Sequence, residues 1–148
     1  MRELKIKDIM TDNIAYLTPN STIQEAARLM QQHNIGALPV CDDEGIKGIV
    51  TDRDIVVRNI AHGNDPATTT VDKVMTGGIT AVTPETDIDE VAEIMSMKQV
   101  RRIPVVENDE LVGMVSLGDL ATRPDYFMEA SDALTEISCP SKPENLKH

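Results

Sequence analysis

Apolar residues along the chain change period in a fixed order, and then do so again. Ile23, Ala26, Ala27 and Met30 recur at three- and four-residue spacing, the stripe of an amphipathic helix, with Thr22 and Glu25 placed to cap its start. Before it, Ile14 to Leu17 reads as a short extended segment, because it stops at Thr18-Pro19 and the residue before proline is pushed out of helical geometry. After it come two short β-branched runs, Ala37 to Cys41 and Ile46 to Val50, joined by Asp42-Asp43-Glu44-Gly45, which predicts a hairpin. A last helix is predicted to start at Thr51.

Sliding the chain by 65 residues lays positions 7–55 on 72–120 without a gap, and fourteen of these 49 positions are identical. Met10/Met75, Thr11/Thr76, Thr18-Pro19/Thr83-Pro84, Pro39-Val40/Pro104-Val105, Gly48/Gly113 and Asp54/Asp119 are among the matches. The second copy repeats the elements: Ile79 to Val82 extended, then a helix with Asp87 and Glu90 at its start and Ile88, Val91, Ala92 and Met95 as its stripe. Strands at Ile103 to Val106 and Leu111 to Val115 follow, joined by Glu107-Asn108-Asp109-Glu110, and a short helix runs from Leu117 to about Ala121.

Strand, helix, strand, strand, helix implies a three-stranded sheet with helices on one face. One such βαββα unit is marginal alone, so the expected fold is α/β (α+β), two units packed sheet to sheet about a pseudo-twofold axis. The boundaries are residues 5–61 for the first repeat, 62–71 for a linker, 72–121 for the second repeat and 122–148 for a tail. Within the tail, Phe127, Ala130 and Leu134 predict a helix over 125–137, and 138–148 is expected to be disordered.

Composition narrows the functions. Fourteen basic against 25 acidic residues give a net charge of −11, which repels nucleic acid and anionic membranes, and with one Phe, two Tyr and no Trp there is little to stack on bases. No apolar run approaches the ~18 residues of a membrane span. Charges interrupt the apolar residues from Met1 onward, as expected of a cytoplasmic protein. Cys41 and Cys139 are too few for a disulfide framework, and His33, His62 and His148 stand too far apart to support a zinc site.

The chemistry-bearing stretch is Gly48-Ile49-Val50-Thr51-Asp52-Arg53-Asp54, mirrored by Gly113-Met114-Val115-Ser116-Leu117-Gly118-Asp119. A hydroxyl and a carboxylate stand three residues apart where a strand turns into a helix. One reading is purely structural, a capping box with Thr51 or Ser116 as N-cap. The other is a ligand site: amides and dipole at the helix start favour an anion, the hydroxyl reaches a phosphate oxygen, and the Asp accepts from vicinal ribose hydroxyls. Arg101-Arg102, adjacent in an acidic chain, favours phosphate contact. Arg53 serves a ligand or pairs with Asp52 or Asp54. Cys41, in a core strand, reads as a small hydrophobe.

With its Thr-Pro before the first helix, its Leu-Pro-Val and Ile-Pro-Val strands and its Gly-x-x-[Ser/Thr]-x-x-Asp ends, the repeat over residues 5–121 resembles a tandem pair of CBS domains, the Bateman module. The resemblance implies a regulatory adenosine ligand in two clefts between the repeats: AMP, ADP, ATP or a derivative such as S-adenosylmethionine. Carried over by position, one cleft takes Asn13, Ala15, Ile35 and Gly36 around adenine, with Arg101, Arg102, Met114, Ser116 and Asp119 around ribose and phosphate. The other takes Gly78, Thr80 and Val100 around the base, with Ala37, Ile49, Thr51, Arg53 and Asp54 around ribose and phosphate. Because Arg101-Arg102 stands where the first repeat has Gly36-Ala37, the Asp119 cleft is expected to bind phosphate more tightly.

Two functions fit. One is a ligand sensor that signals to a separate, unknown regulated protein; the other is a ligand-free dimerising or partner-docking scaffold. The resemblance also implies a homodimer. No nucleophile with a base and no catalytic carboxylate pair stands outside the ribose pattern, so neither an enzyme nor a catalytic cofactor is expected.

Overall fold

The computed structural model describes residues 4–122 and 127–138. It is a mixed helix and strand structure with two small sheets. Helix α1 spans Ile23–His33, strands β1 and β2 span Ala37–Asp42 and Gly45–Thr51, and α2 covers Asp52–Asp54 before widening into a π-type segment at Ile55–Ile60. In the second copy, α3 spans Ile88–Lys98, β3 Arg102–Glu107, β4 Glu110–Ser116, α4 Leu117–Ala121 and α5 Phe127–Ile137. Residues 125–126 of the expected tail helix, and 139–148 of the expected disordered end, lie outside the described residues.

The chain divides into two compact units that are offset from the sequence repeats. One comprises residues 1–12, 82–105 and 113–148, the other 13–81 and 106–112. The offset arises because the Met-Thr pair ahead of each copy bonds to the last strand of the other copy. Thr11 and Met114 exchange both N–H···O bonds at 2.9 Å, and Ile49 and Thr76 do the same at 3.0 and 2.9 Å. Glycine makes this crossing possible. A methyl group at Gly113 would meet Met10 Sδ at 2.6 Å and the Thr11 carbonyl at 3.0 Å, and one at Gly48 would meet Met75 Sδ and the Thr76 carbonyl at 2.8 Å.

The helices start as their sequences require. Thr22 accepts from the Glu25 N–H at 3.1 Å, and α1 ends at Asn34 in the left-handed region. Ile23, Ala26 and Met30 are buried with Leu38, Val40, Val50 and Ile55 in one core cluster. Ala27, expected in the stripe, is exposed, because the buried face is turned toward Leu29, which packs against the cluster. In α3 all four expected residues, Ile88, Val91, Ala92 and Met95, are buried.

The expected three-stranded sheets are instead two-stranded, β1 with β2 and β3 with β4. The first strand of each copy shrinks to one parallel bridge, Leu17 to Val40 and Val82 to Val105. Leu17 donates to the Pro39 carbonyl at 2.9 Å and its carbonyl accepts from the Cys41 N–H at 2.7 Å. The next donors along this ladder are the nitrogens of Pro39 on one side and Pro19 on the other, and neither carries a hydrogen. Pro84 and Pro104 bracket Val82 in the same way. In the second hairpin both residues of the turn, Asn108 and Asp109, have positive φ (54° and 65°), the geometry whose twist matches paired strands.

Gly113→Ala and Gly48→Ala are each expected to lower stability by about 1–3 kcal/mol, since the obstructing atoms include backbone. Gly77→Ala, whose nearest neighbour would be the Lys47 carbonyl at 3.8 Å, serves as a control that stays within about 0.5 kcal/mol. Urea unfolding followed by circular dichroism measures all three.

Candidate functional site: two strand-to-helix turns

Each last strand runs into its helix through a reciprocal pair of hydrogen bonds. Thr51 Oγ1 accepts from the Asp54 N–H and Asp54 Oδ2 accepts from the Thr51 N–H, both at 3.0 Å. At the other turn Ser116 Oγ accepts from the Asp119 N–H at 3.2 Å, and Asp119 Oδ2 accepts from the Ser116 N–H at 2.8 Å. The capping box is therefore real in both copies. It does not use two groups: the hydroxyl, having accepted, keeps its proton to donate, and each carboxylate keeps its Oδ1, which in Asp54 lies beside Arg58.

Beyond this shared frame the turns differ in charge. At α2 the Asp52 N–H donates to the Gly36 carbonyl at 2.9 Å, the Arg53 N–H to Asp52 Oδ1 at 2.8 Å and the Asp54 N–H to Thr51, so no amide of the first turn is left for an anion. The Asp52 carboxylate also fills the space over Gly36, where a methyl group would come within 2.9 Å of it. Asp54 is buried at 9% exposure, and its Oδ1 faces Arg58 Nε at 3.8 Å. Arg53 is exposed, and among the described residues it forms no ion pair with Asp52 or Asp54.

The α4 turn inverts this pattern. The Leu117 N–H donates to the Arg101 carbonyl at 2.8 Å, which fixes the start of α4 to the segment that carries the arginines. Leu117 stands at the place of Asp52 and Gly118 at that of Arg53, so the carboxylate that accepts from the Arg53 amide has no counterpart at Gly118. The α4 turn carries Asp119 as its one carboxylate, whereas the α2 turn carries Asp52 and Asp54, with Arg53 exposed and Arg58 beside Asp54. Arg101, Arg102, Ser116 and Gly118 line a cavity of about 480 Å³. That volume falls in the range of small-molecule sites.

Of the residues assigned to the first cleft, Arg101, Arg102 and Ser116 are thus brought together in one unit. Met114 and Asp119 belong to the same unit but do not line the cavity, and Asn13, Ala15, Ile35 and Gly36 belong to the other. Of the second set, Ala37, Ile49, Thr51, Arg53, Asp54, Gly78 and Thr80 share one unit, and Val100 lies in the other. Asp52, Leu117 and Gly118 are not among the residues the sequence assigns to either cleft. Comparing the two copies column by column at positions 52/117 and 53/118 carries the signal that separates the turns.

A match to the CBS domain family covers residues 6–59 and 71–125, and the chain belongs to that family, with two CBS domains in tandem. The CBS domain-containing protein YhcV of Bacillus subtilis is 44% identical over 133 residues, spanning 90% of this chain and 94% of YhcV. A crystal structure of hypoxic response protein I, described with two coordinated zinc ions, is 38% identical with a TM-score of 0.74 and covers 80% of this chain and 98% of its own. The CBS domain protein TA0289 of Thermoplasma acidophilum is 26% identical with a TM-score of 0.81, covering 95% of this chain and 79% of its own. Among the described residues here, no group of three or more His, Cys, Asp and Glu could hold a metal ion, and no helix is long and apolar enough to cross a membrane.

Cys41 is half-buried in β1, and burial followed by the neighbouring Asp42 charge raises its thiol pKa. Only the thiolate attacks, so its reactivity should appear at more alkaline pH than that of an exposed cysteine. In a Cys139→Ser background, iodoacetamide labelling of the native protein is expected to be slower at neutral pH than after unfolding. Equal rates, followed by mass spectrometry, would show an ordinary exposed thiol.

Proposed function

We propose that this protein is a regulatory, non-catalytic module of the cytoplasm that binds an adenosine-containing compound and signals its presence to a separate protein. AMP, ADP, ATP and derivatives such as S-adenosylmethionine are the ligand class. The observation that carries this reading is the cavity where Arg101, Arg102 and Ser116 meet, in a chain whose net charge is −11. A concentration of positive charge against that background selects an anion, and paired guanidinium forks suit phosphate oxygens.

In this reading the ligand phosphate sits on Arg101 and Arg102 with the Ser116 hydroxyl donating, and Asp119 Oδ1 accepts from the ribose hydroxyls while Oδ2 holds the turn. The Thr51 and Asp54 turn binds the same class of ligand with less preference for phosphate, because Asp52 answers its amides and repels anions. A signal requires that the ligand favour one arrangement of the protein over another by its differential affinity, and a partner reads the population shift.

Thermal-shift measurements with AMP, ADP, ATP, NADH and S-adenosylmethionine test the reading. A ligand at ~100 times Kd adds about 2.7 kcal/mol of stability. Calorimetry on the responding ligand is expected to show a larger loss of affinity for Asp119→Ala than for Asp54→Ala, and equal losses would remove the ranking of the two turns. Absence of a shift with every compound would favour the ligand-free scaffold.

A second observation favours pairing of two copies. In one unit α5 packs on α3 and α4, whereas in the other the π-type segment after α2 leaves Val56, Val57 and Ile60 at 57%, 43% and 52% exposure. An apolar cluster of this kind marks an interaction surface, and a homodimer covers it. Val56→Asp with Ile60→Asp is then expected to convert a dimer to a monomer in light scattering, with the far-ultraviolet circular dichroism unchanged. A dimer that survives both substitutions would move the interface elsewhere.

A further inference from the structure

The tail helix α5 lies outside the βαββα pattern, and no role in ligand binding follows from the repeat. Yet Ala130, Ser131 and Leu134 of α5 line the same cavity as Arg101, Arg102 and Ser116. Ala130 and Ala133 are buried at 3% and 1% exposure, which seats the helix, while Ser131 and Leu134 stand at the edge of that buried stripe. Residues 130, 131 and 134 are neighbours on a helix surface, so one face of α5 presents a methyl, a hydroxyl and an isobutyl group to the cavity.

Gly118 and Ala121 of α4 and Ala130 and Ser131 of α5 supply the small groups of the lining, and Leu117 and Leu134 supply its apolar bulk. Asp132 and Glu136 of α5 form no ion pair with Arg101 or Arg102 among the described residues. Ser131 adds a neutral hydroxyl to the same lining.

One short segment ties the walls together. Gln99 Nε2 donates to the Glu136 carbonyl near the end of α5 at 2.8 Å, and the Arg101 carbonyl accepts from the Leu117 N–H at the start of α4. Residues 99–102 therefore hold α5 on one side and α4 on the other while carrying the two cations. The second unit has no helix in the corresponding place among its described residues.

We propose that α5 is a working wall of the anion pocket: Ser131 donates its hydroxyl to a bound phosphate, and occupancy of the pocket fastens α5 onto α3 and α4. This rests on the reading that Arg101, Arg102 and Ser116 take the phosphate of a nucleotide. It makes the tail helix the element whose stability reports the ligand.

The test uses the full chain with two probes, AMP and inorganic pyrophosphate, followed by calorimetry and by hydrogen exchange of residues 127–138. Ser131→Ala is expected to weaken binding about tenfold or more, as loss of a hydrogen bond to a charged group does, and Ser131→Asp to weaken it further. Because Ser131 is exposed, both variants should melt as the wild type does without ligand. Saturating AMP should slow exchange in α5, by up to about 100-fold at 100 times Kd. If AMP binds the wild type and both Ser131 variants equally and leaves α5 exchange unchanged, the role of α5 is overturned while the nucleotide reading stands. If pyrophosphate alone binds and depends on Ser131, the pocket stands and the adenosine reading falls. If neither probe binds, both are overturned.

Discussion

Everything at the candidate site hangs on one reciprocal pair of hydrogen bonds, that between the residue ending the last strand and the aspartate three positions later. In the second copy these are Ser116 and Asp119, with each backbone N–H answered by the other's side chain. The pair satisfies donors that a helix start would otherwise leave unmatched, and it orients the hydroxyl and the remaining carboxylate oxygen with no freedom to wander. A structural role therefore does not use up the group: one oxygen of the aspartate holds the turn, and Oδ1 is not needed for it.

Identical frames do not make identical sites. The two turns share the capping box and the glycine that lets the Met-Thr segment cross the last strand, yet they differ at the positions between. Asp52 turns its carboxylate back onto the Arg53 amide and over Gly36, so the α2 turn supplies its own anion. Leu117 and Gly118 carry no such carboxylate, and they share their cavity with Arg101 and Arg102. Duplication thus built a symmetric scaffold, and a few substitutions at corresponding positions set the electrostatics of the two halves apart.

The helix covering each copy differs as well. In one unit α5 lies on α3 and α4 and walls the arginine-lined cavity; in the other, three apolar side chains after α2 remain open to solvent. An internal helix and an exposed patch are two answers to the same apolar demand. The first encloses a cavity beneath a helix, and the second leaves apolar side chains in solvent.

Much of this was legible in the chain itself. The gap-free shift of 65 residues, the helical stripes, the hairpins and both capping boxes follow from spacing and from the short-range preferences of Thr, Ser, Asp, Gly and Pro, which act over three or four residues. Ala27 and the extended segments before each helix were not read correctly, since their outcome depends on what lies across the ladder. Pro39 and Pro104 are distant in sequence from Leu17 and Val82, and only their placement opposite shows that the next ladder donor has no hydrogen. The offset between repeats and compact units, the Asp52 carboxylate over Gly36 and the α5 wall are likewise long-range contacts. Local physics determined which elements form and how they are capped; tertiary packing decided which of them meet, and with that which turn is left open to an anion.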